Sequence, residues 1–107
     1  MNHKLLATLG LARRAGKLTW GFDMVTAETD KTVLVLLAAD LSARTRRSLE
    51  NKLQATRVQC AALEITMAEL GRAIGTAPVG IIGVTEKGFA ALLSAEIEKT
   101  NAGGTQL

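Results

Sequence analysis

An α/β fold with helices on both faces of a buried sheet is what this sequence predicts, and three observations carry the prediction. The run KTVLVLLAA at 31–39 is β-branched and aliphatic without polar alternation, as a strand buried on both faces requires. VGIIGV at 79–84 repeats that character near the C-terminus. Around these runs stand segments with helical spacing of apolar residues and recognisable caps, so strands and helices alternate. The expected architecture is a helix–sheet–helix sandwich with short crossovers.

Each element follows in order. Asn2 can cap a first helix in which Leu5, Leu6, Leu9 and Ala12 recur at helical spacing, and Gly16 is a natural stop. KLTW at 17–20 is long enough only for a brief extended piece. Residues 21 to about 29 read as a second helix, with Phe22 or Asp23 near its cap. Asp40 ends the first buried strand, and Ser42 can cap a long basic helix reaching about Thr56. VQCAALEI at 58–65 is a second, more weakly signalled strand. Thr66 stands three residues before Glu69, the spacing of a capping box, and opens a short helix ending near Gly75. After the third strand, residues 85–99 form a closing helix with Phe89, Leu92, Leu93 and Ile97 on one face. Residues 102–107 are expected to be a disordered tail, leaving a single domain over residues 1–101.

Charge is distributed more tellingly than its total of +3 suggests. Lys4, Arg13, Arg14 and Lys17 crowd the first twenty residues with no acid among them. Arg44, Arg46, Arg47, Lys52 and Arg57 stand against Glu50 alone in residues 41–60. Two basic clusters on a nearly neutral body fit a polyanion, although a basic helix face is as often merely solvated. Arg44, Arg46 and Arg47 spread around their helix and cannot all face one ligand.

Other classes of function find little support. Cys60 is the single cysteine; it reads as a small buried hydrophobe and allows no disulfide framework or thiolate metal site. His3, the single histidine, lies near the terminus and reads as incidental rather than as a ligand or catalytic base. No phosphate-loop or dinucleotide-binding glycine pattern is present. The acids are scattered, with Glu28, Glu50, Glu96 and Glu98 reading as helix surface. No catalytic residue, metal, cofactor or small-molecule substrate is therefore expected. LLATLGLA runs into Arg13 and Arg14 without a cleavage site, and the uncharged stretch Ala73–Thr85 is too short for a membrane span and broken by Pro78. A cytoplasmic protein without membrane attachment is expected. With only Trp20, Phe22 and Phe89 as aromatics, any RNA would be gripped through phosphates and groove edges rather than stacked along a sheet.

Four strings in order, LGLARRAGKLTWG at 9–21, VLVLLAAD at 33–40, ELGRAIG at 69–75 and VTEKGFA at 84–90, resemble the ribosomal L-seven-Ae family. The nearest branch is its small bacterial YlxQ-type members, and the resemblance covers about residues 4–97. It implies a three-layer α/β/α sandwich around a four-stranded mixed sheet. It also implies binding to structured RNA, ribosomal RNA or a kink-turn, the bent motif with tandem sheared G·A pairs. In the family a G-x-N-E-x-x-K string opens the second helix and reads those pairs. Its glycine falls on Gly21, its asparagine on Asp23, its glutamate on Met24 and its lysine on Ala27. The lysine of the preceding G-K falls on Lys17, and the loop that packs on the extruded nucleotide falls on Thr76, Ala77, Pro78 and Val79. Phe22 lies within the string, and Arg13 and Arg14 would add phosphate attraction.

Three of those four reading side chains thus differ. Ionised Asp23 offers only acceptors, where guanine also presents acceptors, and Met24 and Ala27 remove an acceptor and a cation. General RNA affinity is better supported than kink-turn specificity. Asp23 also has a plainer reading as a helix cap, and Trp20 and Phe22 as a staple of the helix entry. A second hypothesis follows: the scaffold has lost RNA recognition and serves as a protein-interaction module, with an apolar patch at Trp20, Phe22 and Met24.

Overall fold

A computed structural model describes the backbone of residues 3–105 and the side chains of residues 3–99. The cap expected of Asn2 and the last two residues of the expected tail lie outside the described residues. In chain order the elements are α1 (His3–Arg14), β1 (Leu18–Trp20), α2 (Phe22–Ala27), β2 (Leu34–Leu37), α3 (Ala43–Leu53), β3 (Gln59–Ala62), α4 (Met67–Ile74), β4 (Ile81–Val84) and α5 (Lys87–Thr105). The strands form one mixed sheet in the order β1-β4-β2-β3. β4 runs antiparallel to both β1 and β2, whereas β2 and β3 are parallel and joined through α3.

The two uninterrupted apolar runs became the two central strands, every residue of β2 and β4 being buried. Their alternate side chains feed two separate cores. Leu34, Leu36 and Ala38 enter the larger one with Ile82 and Val84, closed by Leu5 and Leu9 of α1, Leu70 and Ile74 of α4, and Leu93 and Ile97 of α5. Val35, Leu37 and Ile81 enter a smaller one, closed by Val25 of α2 and by Leu49 and Leu53 of α3. Helices therefore cover both faces, and the molecule is a three-layer sandwich. Burying each of these leucine, isoleucine and valine side chains contributes roughly 1.5–3 kcal/mol.

Four sequence expectations need correction. Cys60 is exposed, because β3 is the outer strand of the sheet and only one of its edges is paired. Leu92 is 52% exposed: it falls one residue, about 100° of helix, outside the stripe of Phe89, Leu93 and Ile97. Phe89 itself is half-buried against the larger core. Glu96 is not simple helix surface, for it sits half-buried at the α1–α5 seam and accepts a hydrogen bond from the Thr8 hydroxyl at 3.1 Å. Glu28 ends α2 as its C-terminal cap rather than lying on a helix face.

Candidate nucleic-acid interface

The two segments assigned to RNA by resemblance, residues 21–23 and 76–79, are far apart in sequence and adjacent in the fold. Trp20 pairs with Ile82, and the Gly21 N–H donates to the Ile81 carbonyl at 2.9 Å. The loop 76–80 runs straight into Ile81. Both segments therefore meet at one end of the sheet, where the Ala38 N–H also donates to the Gly80 carbonyl at 2.9 Å.

Gly21 makes the turn possible. Its φ of 90° and ψ of 153° belong to a region that side chains other than hydrogen rarely enter. In a continuous strand Trp20 and Phe22 would share a face; across this turn they separate. Trp20 packs against the larger core and Phe22 against the smaller one. They staple the helix entry from opposite sides and do not form a joint apolar patch.

Asp23 does not cap α2. Gly21 occupies the N-cap, and no side chain there accepts a first-turn N–H. Asp23 is the second residue of the helix, exposed, and makes no hydrogen bond back to the helix start. The first bond of the helix runs from the Val25 N–H to the Gly21 carbonyl at 3.1 Å. The amides of Phe22, Asp23 and Met24 precede it and have no side-chain acceptor among the described residues. Met24 and Ala27 are exposed beside them, Met24 by 48%.

The second segment is tied to α4. The Thr76 N–H donates to the Gly71 carbonyl at 2.8 Å, and the Val79 N–H to the Met67 carbonyl at 3.1 Å. A Cβ on Gly71 would stand 2.4 Å from the Ala77 carbonyl oxygen, so the loop lies directly on the bare Cα. Thr76 is half-buried, its hydroxyl donating to the Ala77 carbonyl at 2.8 Å. Ala77 and Pro78 are exposed, but Val79 is buried in the larger core, so its side chain offers a ligand nothing.

The basic residues divide. Arg13 lays its guanidinium over the ring of Trp20, the residue before Gly21, 4.5 Å from the centroid. Such a contact is worth about 0.5–1 kcal/mol at a partly exposed site. Lys17 sits at the other end of β1, where its carbonyl accepts from the Thr85 N–H, and is roughly 13 Å from Gly21 along the strand. Arg14, the last residue of α1, lies on its exposed side towards the same turn. On α3, Arg46 is paired with Glu50 at 3.1 Å on an exposed helix surface, a contact of little energetic weight. The Arg13–Trp20 contact was missed in the sequence. The two residues flank the short turn at Gly16 and Lys17, close enough in sequence for a long arginine side chain to reach the ring.

A separate groove of about 360 Å³ lies between β3 and α5 and includes Cys60. Partial burial of the thiol and then the charge of Glu50 push its pKa up, with Arg46 acting in the opposite direction. A thiol so shifted holds less thiolate at neutral pH and is a poorer nucleophile. Among the described residues no cluster of three His, Cys, Asp or Glu side chains could hold a metal ion.

Sheet order, layer composition and the meeting of α2 with the α4–β4 loop define an α/β/α sandwich of the L-seven-Ae type. No family model matches the chain. Relatives do: the RNA-binding protein YlxQ of Bacillus subtilis (strain 168) is 38% identical over 84 residues, 77% of this chain and 83% of that protein. The RNA-binding protein YlxQ of Enterococcus faecium is 34% identical over 89 residues, 81% of this chain and 84% of that protein. A solved structure of a protein with unknown function from Bacillus halodurans superposes with a TM-score of 0.81 at 33% identity, covering 89% of this chain and 97% of that one. The Giardia lamblia 15.5kD RNA binding protein shares the fold at a TM-score of 0.71 and 17% identity, with 92% and 88% covered. The chain belongs to the family of the bacterial YlxQ proteins, and its fold is of the L-seven-Ae type.

Proposed function

We propose that this chain is a non-catalytic cytoplasmic RNA-binding protein that grips structured RNA, kink-turn-like or ribosomal, at the sheet end where α2 and the 76–79 loop meet. The observation that carries the reading is that juncture, found in a chain whose relatives at 34–38% identity are named for RNA binding. Backbone N–H groups at the start of α2 are the polar groups the site offers an electron-rich partner, with Arg13 beside them and Arg14 and Lys17 further along α1 and β1. Asp23, Met24 and Ala27 stand on the exposed side of α2, where the family's reading side chains would stand. They supply little base discrimination, so phosphate and backbone contacts carry most of the affinity. Among the described residues no helix is long and apolar enough to cross a membrane. The protein-interaction reading rests on Trp20, Phe22 and Met24; the first two pack partly against different cores, and Met24 is the exposed member.

The test is binding of the purified chain to a labelled consensus kink-turn RNA and to an equally long duplex without G·A pairs, across a salt series. Both are expected to bind, the kink-turn the more tightly, with affinity falling as salt rises. Binding to neither RNA, or affinity insensitive to salt, would overturn the reading.

A further inference from the structure

We propose that Trp20 is a positioning residue that holds the Arg13 guanidinium as a fixed, un-neutralised fork for an RNA phosphate beside the start of α2. The inference rests on the RNA-binding reading above and goes beyond it by separating Arg13 from the other basic residues and by giving the single tryptophan a role. Three observations support it.

The first is the contact itself. A guanidinium stacked 4.5 Å over an indole is held in place without being neutralised, because the ring carries no net charge. Arg13 has no carboxylate partner among the described residues, unlike Arg46, which is paired with Glu50. The second is an orphan donor. Arg13 Nε is buried and finds no hydrogen-bond partner among the described residues. A buried donor left without a partner is costly unless something outside the chain meets the group. With Nε enclosed, the terminal nitrogens are the part of the fork left to meet a phosphate in two-pronged geometry. The third is position. Trp20 immediately precedes Gly21, whose N–H donates to the Ile81 carbonyl just after the 76–80 loop, so the stack is anchored on the residue that leads into α2. Arg14 and Lys17 are exposed and make no comparable ring contact among the described residues, so they act as a diffuse field.

The experiment measures affinity of one labelled structured RNA between about 50 and 200 mM salt, a range over which phosphate contacts show clearly. The chains compared are wild type, Arg13→Ala, Arg14→Ala, Trp20→Phe and Trp20→Leu, each checked for folding by circular dichroism. Arg13→Ala and Trp20→Leu are each expected to weaken binding about tenfold and to reduce the salt slope by about one phosphate. Trp20→Phe, which keeps an aromatic face, should retain most of the affinity. The double variant Arg13→Ala/Trp20→Leu should bind no more weakly than Arg13→Ala alone, since both act through one group. Equal effects of Arg13→Ala and Arg14→Ala, or a wild-type salt slope in Trp20→Leu, would overturn the proposal while leaving RNA binding intact. Failure of the wild-type chain to bind RNA would overturn both. Should Trp20→Leu not fold, Trp20→Phe and the two arginine variants decide the matter alone.

Discussion

The helices α2 and α4 start at the same end of the sheet, and their first turns are built in opposite ways. At α4 the Thr66 N–H donates to Glu69 Oε1 at 2.9 Å, the Met67 N–H to Asp40 Oδ1 at 2.8 Å and the Glu69 N–H to Thr66 Oγ1 at 3.2 Å. Three early amides are thus closed off by side chains of the protein itself. At α2 the N-cap is a glycine at positive φ and no side chain closes the turn. One helix start has been finished internally and serves as scaffold; the other leaves its first donors without an internal side-chain acceptor. The two are linked, because α4 carries the loop that completes the surface around α2.

The largest effect should come from disturbing that link. Gly71→Val puts a branched side chain where even a single carbon would meet the Ala77 carbonyl oxygen at 2.4 Å. Backbone cannot yield as a side-chain tip does, so the change is expected to cost about 3 kcal/mol, the upper part of the overpacking range. For a domain of this size that lowers the melting temperature by on the order of 10–20 °C, readable by circular dichroism. An unchanged melt would mean that the loop is not held by α4, and the division between scaffold and surface would lose its basis.

Next in size are changes to the closed cap. Thr66→Ala removes the hydroxyl that accepts the Glu69 N–H and should cost about 1 kcal/mol. The same box makes a statement about pH. The Glu69 carboxyl lies below its ordinary value of 4.5, first because of the Thr66 N–H, then the Thr66 hydroxyl, with a smaller contribution from Arg72. A carboxyl with a lowered folded pKa stabilises above the unfolded value of about 4.5 and loses that contribution as pH falls through the folded value. Glu69→Gln should therefore flatten the fall of melting temperature below about pH 4.5 and leave the shape of the profile near neutrality unaltered. A variant as acid-sensitive as wild type would show that the box is not formed in solution.

Much of this scaffold was legible in the residues, and for identifiable reasons. Ser42 and the Thr66–Glu69 pair announce their helices because capping is a local interaction between residues three apart. KTVLVLLAA and VGIIGV announce central strands because burial on both faces leaves no polar alternation. What failed to show depends on neighbours remote in sequence. Asp40 caps α4 across 27 residues, and Cys60 is exposed only because β3 is outermost in the sheet. The candidate site was legible in part: resemblance pointed to Gly21 and the 76–79 loop, which the fold does bring together. That Lys17 stands apart from them, and that Val79 is buried, follows from strand register and loop path, which no local pattern encodes.

The smallest expected effect on stability is at Asp23, and there the contrast between the helices is sharpest. Thr66→Ala removes a cap; Asp23→Ala removes none, so its cost should stay within about 0.5 kcal/mol, the weak end of the helix-dipole interaction. The RNA readout should move the other way. An ionised carboxylate at the exposed start of α2 repels phosphates and the acceptor edge of guanine, whereas an amide of the same shape can donate. Asp23→Asn is therefore expected to strengthen binding to a kink-turn RNA several-fold, and to strengthen it more than binding to a plain duplex, because only the kink-turn presents G·A pairs to that position. An equal gain for both RNAs would assign the effect to charge alone and leave base reading out of this site. No gain for either would place Asp23 outside the RNA interface, leaving Arg13 and the 76–79 loop to define it.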